Sequence, residues 1–293
     1  MKRKILFGFG VICTSLFILA FLLFFNGCAS GHLPEDSELT VVHLADLHLS
    51  TIGKVTETPW THKIEIGGYK LHKTCTGKSF ELFERAVASI NEKIKPDLVV
   101  ITGDLVDRGD DVEALKKGHE TLGKLKCPLL ISKGDHDVAS KPENKPSFES
   151  VFGKLSGSKS AKGHSFIYIP FESNEETFKE LEKNISASGN GINFLCMHRM
   201  LWASWGMNEL SKKYCSTLLS PDSDKIIKLL GNSPGHWVVL CGHSHTNYKD
   251  TSGNITELCT SSLAEYPHEL RIVKVKDGKV STNVVALDTL ESQ

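Results

Sequence analysis

The chain has 293 residues, 40% of them hydrophobic and 24% charged, and 34 basic side chains stand against 35 acidic ones. Those fractions exclude a disordered or collagenous chain. The near-zero charge balance, with no basic arm and no acidic tail, gives no sign of a broad nucleic-acid-binding surface. No internal repeat interrupts the sequence, and its length beyond the N-terminal segment suits one large domain.

Lys2, Arg3 and Lys4 precede an uncharged apolar run over residues 5–25. A positive flank followed by such a run describes an export signal, and this run is long enough to span a bilayer. The next stretch, Phe25-Asn26-Gly27-Cys28-Ala29-Ser30, resembles a bacterial lipobox, in which the Cys is lipidated after cleavage before it. Phe25 and Asn26 depart from the commoner Leu and small residue of that pattern. The expectation is a signal peptide or membrane anchor over 1–27, with lipidation at Cys28. A polar tether over 28–39 and a domain over 40–288 would follow, held at the cell envelope outside the cytoplasm.

From residue 39 the pattern alternates between short apolar runs and amphipathic stretches. Strands are predicted at 39–45, 97–102, 128–132, 165–169, 193–197 and 237–241. Residues 79–94 repeat apolar side chains with a helical period at Phe80, Phe83, Val87, Ile90 and Ile94. Further helices are predicted at 110–125, 175–186 and 220–230. Strands at 255–258, 269–275 and 280–286 close the chain, the last two joined by Lys276-Asp277-Gly278-Lys279. Residues 60–73 alternate about Gly67-Gly68 and read as a hairpin within an insertion at about 55–75. Alternation early and strands late predict a layered α/β domain with mixed sheets.

Cys13 and Cys28 set aside, six cysteines remain. Cys75 and Cys215 lie in polar stretches suited to a disulfide between insertions, whereas Cys196 and Cys241 sit in apolar runs that favour buried thiols. None has zinc-finger spacing.

The predicted strands end in Asp and His. Asp46-Leu47-His48 follows the first strand, and Gly103-Asp104-Leu105-Val106-Asp107-Arg108-Gly109 follows the second. Gly134-Asp135-His136-Asp137 follows the third, His198 comes after 193–197, and Gly242-His243-Ser244-His245 after 237–241. Ligands bind outside the carboxyl ends of strands in open α/β sheets, so these groups can share one edge. Asp and His together suit zinc, manganese or iron, and more ligands are present than one ion needs. Any one block alone reads as an ordinary turn or helix cap. Five in this order do not.

This set resembles the calcineurin-like metallophosphoesterase family across nearly all of residues 40–286. The resemblance implies a four-layer α/β/β/α sandwich of two mixed sheets, with two divalent metal ions (Mn, Fe or Zn) at the carboxyl ends of the strands. It implies that Asp46, His48, Asp104 and His245 hold one ion, and that Asp104 bridges to a second held by Asp135, His198 and His243. A hydroxide between the ions would attack phosphorus. His136 would serve the leaving group, oriented by Asp137, and Asp107 would fix a ligand histidine. Position 135 departs from the family, which usually has Asn there.

Arg108 weighs as a phosphate contact against a surface ion pair. Trp60, His62, Tyr69, His72, Arg199, Trp202, Trp205 and Tyr214 weigh as a substrate cap against packing. The expected activity is metal-dependent phosphoester hydrolysis, with a diester somewhat favoured over a monoester. The alternative is a catalytically retired binding module of the same fold at the membrane surface. The expected partners are a phosphate-ester substrate and the membrane.

Overall fold

The computed structural model describes residues 38–51, 78–140, 147–202 and 218–292. The expected leader and hairpin, the expected tether up to residue 37, Cys28, Cys75, Cys215, Trp60, His62, Tyr69, His72, Trp205 and Tyr214 lie outside them; Leu39, at the end of the expected tether, opens the first strand. Among the described residues no helix is long and apolar enough to cross a membrane.

The strands are β1 (Leu39–Leu44), β2 (Leu98–Thr102), β3 (Leu129–Ser132), β4 (Gly157–Ala161), β5 (His164–Tyr168) and β6 (Ile192–Cys196). They continue with β7 (His236–Cys241), β8 (Tyr248–Ser252), β9 (Ile255–Cys259), β10 (Glu269–Lys276) and β11 (Lys279–Ala286). The helices are α1 (Ser79–Ser89), α2 (Val112–Leu122), α3 (Phe148–Phe152), α4 (Glu175–Ser186), α5 (Ser223–Gly231) and α6 (Leu287–Glu291). One sheet runs β11-β10-β1-β2-β3 and the other β4-β5-β6-β7-β9-β8. In the first, β1, β2 and β3 are parallel and β10 lies antiparallel to β1. In the second, β5, β6, β7 and β9 are parallel between the antiparallel edges β4 and β8. Both sheets are therefore mixed.

Side chains alternate across each strand, and the alternation sets the layers. On β1, Leu39 and Val41 enter the core between the sheets, while Val42 and Leu44 meet the helical layer of α1, α2 and α6. On β7, Val238 and Leu240 enter the same central core, while Trp237 and Val239 meet α4 and α5. The four-layer α/β/β/α architecture follows from these two faces. A strand covered on both sides must be apolar throughout, which is why β1, β2, β6 and β7 were visible as short apolar runs.

The differences from expectation are local. The helix expected over 79–94 is α1 followed by one π turn at Ile90–Ile94, closed by the bond from Lys95 N–H to the Ile90 carbonyl (2.8 Å) ahead of Pro96. The helix expected over 110–125 narrows to α2, because the Asp111 carboxylate accepts from Ala114 N–H and caps it. Strands β4 and β8 were not foreseen. Each is a polar edge strand with one neighbour, so neither carries a hydrophobic pattern.

At the carboxyl end of β1 and β2 the central core turns polar. The fully buried His43 bonds to Thr102 Oγ1 through Nε2 and to Thr260 Oγ1 through Nδ1, both at 2.8 Å. Buried Arg271 donates to Thr260 Oγ1 (3.1 Å) and to the Cys259 carbonyl (2.6 Å). Thr102 belongs to one sheet and Thr260 follows β9 of the other, so His43 pins the sheets together. Burial, and then the Arg271 charge, push the His43 pKa well below its usual 6.5. The unfolded chain thus takes up a proton near pH 6.5 that the folded one refuses, and stability present above that pH is lost as pH falls. His43→Gln should remove this component, worth up to about 1.4 kcal/mol per pH unit below 6.5. Urea unfolding of both metal-free proteins at pH 7 and pH 5 measures it, and parallel losses in the two would refute the assignment.

Candidate metal centre

Each strand-end block turns sharply to aim its side chain back over the sheet edge. Asp46, His48, Asp104, His243 and His245 all adopt left-handed backbone, with φ between 46° and 64°. That region is strained for a side chain other than Gly, Asn or Asp, and such strain is found where neighbouring structure enforces it. The enforcement is visible. Asp46 N–H donates to the Gly103 carbonyl (3.2 Å), His48 N–H to the Asp104 carbonyl (3.0 Å), and His243 N–H to the Asp46 carboxylate (3.0 Å). Close approach requires glycine at two positions. A Cβ on Gly134 would overlap Asp104 Oδ1, and one on Gly103 would overlap the His198 ring.

The seven expected ligand residues meet in two connected groups. Asp104, Asp135, His198 and His243 form one, and Asp46, His48 and His245 the other. Asp104 adjoins both, its Oδ2 lying 3.3 Å from His198 Nε2 and 3.9 Å from His48 Nε2. In the first group Asp135 Oδ1 is 2.9 Å from His198 Nε2 and 3.1 Å from His243 Nδ1. In the second, His245 Nε2 is 3.1 Å from His48 Nε2 and 3.6 Å from Asp46 Oδ1. Asp46 and His198 are fully buried and Asp104 nearly so.

Hydrogen bonds behind the rings fix which nitrogen faces inward. His198 Nδ1 donates to the Thr102 carbonyl (2.7 Å) and His245 Nδ1 to Glu265 Oε1 (2.7 Å), so each presents Nε2 to the centre. His243 instead presents Nδ1. Asp107 Oδ1 stands 3.6 Å behind His48 Nδ1. Such partners orient a ligand ring and raise its basicity.

So many buried carboxylates need positive charge. Burial opposes ionisation of Asp104 and Asp135, yet the adjacent histidines hold both well below the usual carboxylate range. Burial likewise opposes the charge on His198, and Asp104 and Asp135 raise its pKa well above 6.5. His245 moves up to about 9: burial lowers it, but the Asp46 charge and the Glu265 bond outweigh that. Protons on imidazoles thus supply the charge in the metal-free protein. The donor set fits divalent cations on an independent ground: buried Asp135 Oδ1 makes no aligned hydrogen bond although two ring nitrogens stand beside it. Within each group the donor atoms lie within 4.8 Å of one another, the spacing of ligands around an ion. Cations would displace the imidazole protons, so loading strengthens as pH rises.

His136 joins His48 and Asp104 at the rim. Its N–H donates to Asp104 Oδ1 (2.9 Å), and its Nδ1 donates to the Asp107 carbonyl (2.7 Å), leaving Nε2 for a substrate. Burial lowers its pKa, but the Asp104 charge and the Asp107 carbonyl leave it raised. The expected role of Asp137 needs correction. Its carboxylate accepts from Val106 N–H (3.0 Å) and Gly134 N–H (2.8 Å), clasping two turns together, and the Asp107 carbonyl is what orients His136. Burial, then the Asp104 charge, push Asp137 up to about 7. Arg108 lines an open cleft of about 360 Å³ with Asp135 and His136. Trp202 packs against the outer core and donates to Asp250 Oδ2 (2.9 Å). Glu265 went unforeseen, because it sits in a turn six residues past β9 with no apolar run directly before it.

Two mixed sheets with Asp and His turns gathered at one edge define a metallophosphoesterase. The chain belongs to the calcineurin-like phosphoesterase family, whose sequence profile matches residues 39–273. It is 25% identical over 267 residues to a probable glycerophosphodiester phosphodiesterase, GpdQ, of Arcobacter nitrofigilis, covering 82% of this chain and 83% of that one. Its fold is similar to a dimetal phosphatase from Danio rerio (TM-score 0.60, 14% identity, 85% of this chain and 99% of the other). It is also similar to a purple acid phosphatase from yellow lupin (Lupinus luteus) seeds (TM-score 0.59, 11% identity, 86% of this chain and 52% of the other). The protein is a metal-dependent phosphohydrolase.

Glu265 generates a direct test. Glu265→Gln keeps the shape but removes the charge behind His245, and should weaken metal affinity about 10- to 100-fold. Manganese titration by calorimetry measures it, and unchanged affinity would show that Glu265 does not tune His245.

Proposed function

We propose that the protein hydrolyses a phosphodiester with two divalent cations, Mn, Fe or Zn, held by Asp46, His48 and His245 on one side and by Asp135, His198 and His243 on the other. The observation that carries this reading is the position of Asp104, whose one carboxylate oxygen faces a histidine of each group. Bound cations would polarise a phosphoryl oxygen and lower the pKa of water. The protein's own contribution is placement. Left-handed turns set the donors, Asp107 and Glu265 hold rings from behind, and His136 offers Nε2 as proton donor to the leaving alcohol. A retired binding module is disfavoured, since every ligand position and His136 carry competent side chains.

Asp135 supports a diester over a monoester. Asn in its place would offer a neutral oxygen and an NH₂ donor, whereas an ionised Asp offers oxygen alone. With Asp46 and Asp104 it sets three negative charges against the four positive charges of two divalent ions. A dianionic monoester is drawn to such a site less strongly than to one carrying Asn. The activity named for the Arcobacter nitrofigilis relative, on a glycerophosphodiester, agrees.

We also propose attachment to a membrane outside the cytoplasm through Cys28, on the strength of Lys2-Arg3-Lys4, the apolar run and Gly27-Cys28. Cys28→Ala should abolish incorporation of labelled fatty acid. A wild-type protein that takes up no label and retains residues 1–27 is anchored by the apolar run instead.

Chelation should abolish hydrolysis of bis(4-nitrophenyl) phosphate and manganese should restore it, whereas turnover without metal would sink the mechanism. In the same assay His136→Ala should lose about 10²–10⁴-fold on alkyl leaving groups and much less on nitrophenolate. Asp135→Asn should tighten inhibition by inorganic phosphate about 10- to 100-fold, the worth of a charged hydrogen bond. It should also raise the monoester-to-diester rate ratio. No change in either at equal metal content would remove the charge argument.

A further inference from the structure

We propose that Arg199 binds a substrate oxyanion on the β6 side of the metal centre and so determines specificity; this rests on the phosphoesterase reading above. Arg199 immediately follows His198, so its backbone is fixed at the carboxyl edge where the ligand turns gather. Its guanidinium carbon stands 4.4 Å from the centroid of the Phe171 ring. Phe171 is held in turn, its N–H donating to the Lys133 carbonyl (2.9 Å), two residues before Asp135. The arginine is thus stacked on a platform anchored beside a ligand turn.

A structural arginine ordinarily spends its charge on a carboxylate, as Arg85 does on Asp288 and Glu291 at 2.6 Å. Among the described residues no carboxylate pairs with Arg199, and its buried Nε has no hydrogen-bond partner. Lys133, whose carbonyl holds Phe171, is occupied by Glu149 and Glu172. Stacking on an aromatic face leaves the planar N–H fork open at its edge, the geometry that takes carboxylate or phosphate oxygens in pairs. An uncompensated, half-buried guanidinium beside an anion-hydrolysing centre is explained by an anion that arrives with the substrate. His136 follows β3 of the first sheet and Arg199 follows β6 of the second, and in this proposal they divide the work: His136 serves the departing alcohol, Arg199 an oxygen of the retained phosphoryl group or an anionic group on its second ester arm.

The test uses the manganese-loaded protein and reads inorganic phosphate binding by calorimetry alongside kinetics. Arg199→Ala should weaken phosphate binding, or raise KM for a carboxylate-bearing diester, about 10- to 100-fold. KM should rise more than kcat falls, at unchanged metal content. Arg199→Lys should recover only part, because it keeps charge without the fork, and Phe171→Leu should fall between. Weakened phosphate binding with equal KM increments on charged and uncharged diesters assigns the contact to the retained phosphoryl oxygen. An increment confined to the carboxylate-bearing diester assigns it to the second arm. Phosphate affinity and every KM unchanged in Arg199→Ala, in a preparation whose wild type is active, would overturn the proposal. A wild type inactive on all esters would overturn the phosphoesterase reading instead, while the calorimetric arm would still decide whether Arg199 binds anions.

Discussion

Three carboxylates, Asp46, Asp104 and Asp135, are gathered with four histidines where the carboxyl ends of the two sheets meet, two of the three almost wholly withdrawn from water. Like charges so placed repel strongly in a low-dielectric interior, and the arrangement persists only because cationic partners are built in beside them. The remaining architecture serves that requirement. Two sheets aim their carboxyl ends at one line, strained turns direct the side chains inward, and carbonyls and carboxylates behind the rings keep each imidazole in one orientation. The polar contacts among His43, Thr102, Thr260 and Arg271 lie directly beneath, and Thr102 serves both levels: its hydroxyl meets His43 while its carbonyl meets His198.

This explains why the sequence disclosed the ligands so readily. A strand buried on both faces must be a short apolar run, and a ligand at its carboxyl end must follow at once. Asp46, Asp104, Asp135, His198 and His243 all obey that rule, and His245 stands two places beyond. The structure brings all of them and His48 together. Residues that act from behind obey no such rule. Glu265 reaches His245 from a turn past β9, and its sequence surroundings resemble any solvated loop. His43 sits inside an apolar run where one polar residue has no visible partner, since Thr260 is 217 positions away. The mistaken partner for His136 has the same origin: adjacency in sequence suggested Asp137, whereas the alternation of the turn sends that carboxylate into the protein, toward Val106 and Gly134.

The two edges of the second sheet escaped notice for a complementary reason. β4 and β8 each hydrogen-bond to a single neighbour, and side chains such as Lys159 and Lys249 cost nothing there. Hydrophobic pattern reports burial, not hydrogen bonding, so the outer strands β3 and β11, which keep apolar side chains, were legible and the polar β4 and β8 were not.

The first and last residues that shape the metal centre, Asp46 and Glu265, are separated by almost the whole folded chain, and β1 is flanked by β10, which comes later still. A growing polypeptide therefore lacks a ligand of each cation cage until most of it has emerged. Neither group is complete before His243 and His245, and the strand that closes the other side of β1 follows both. Ion acquisition is consequently a late event in the life of the chain, and the ions taken are those of whichever surroundings the C-terminal strands fold in.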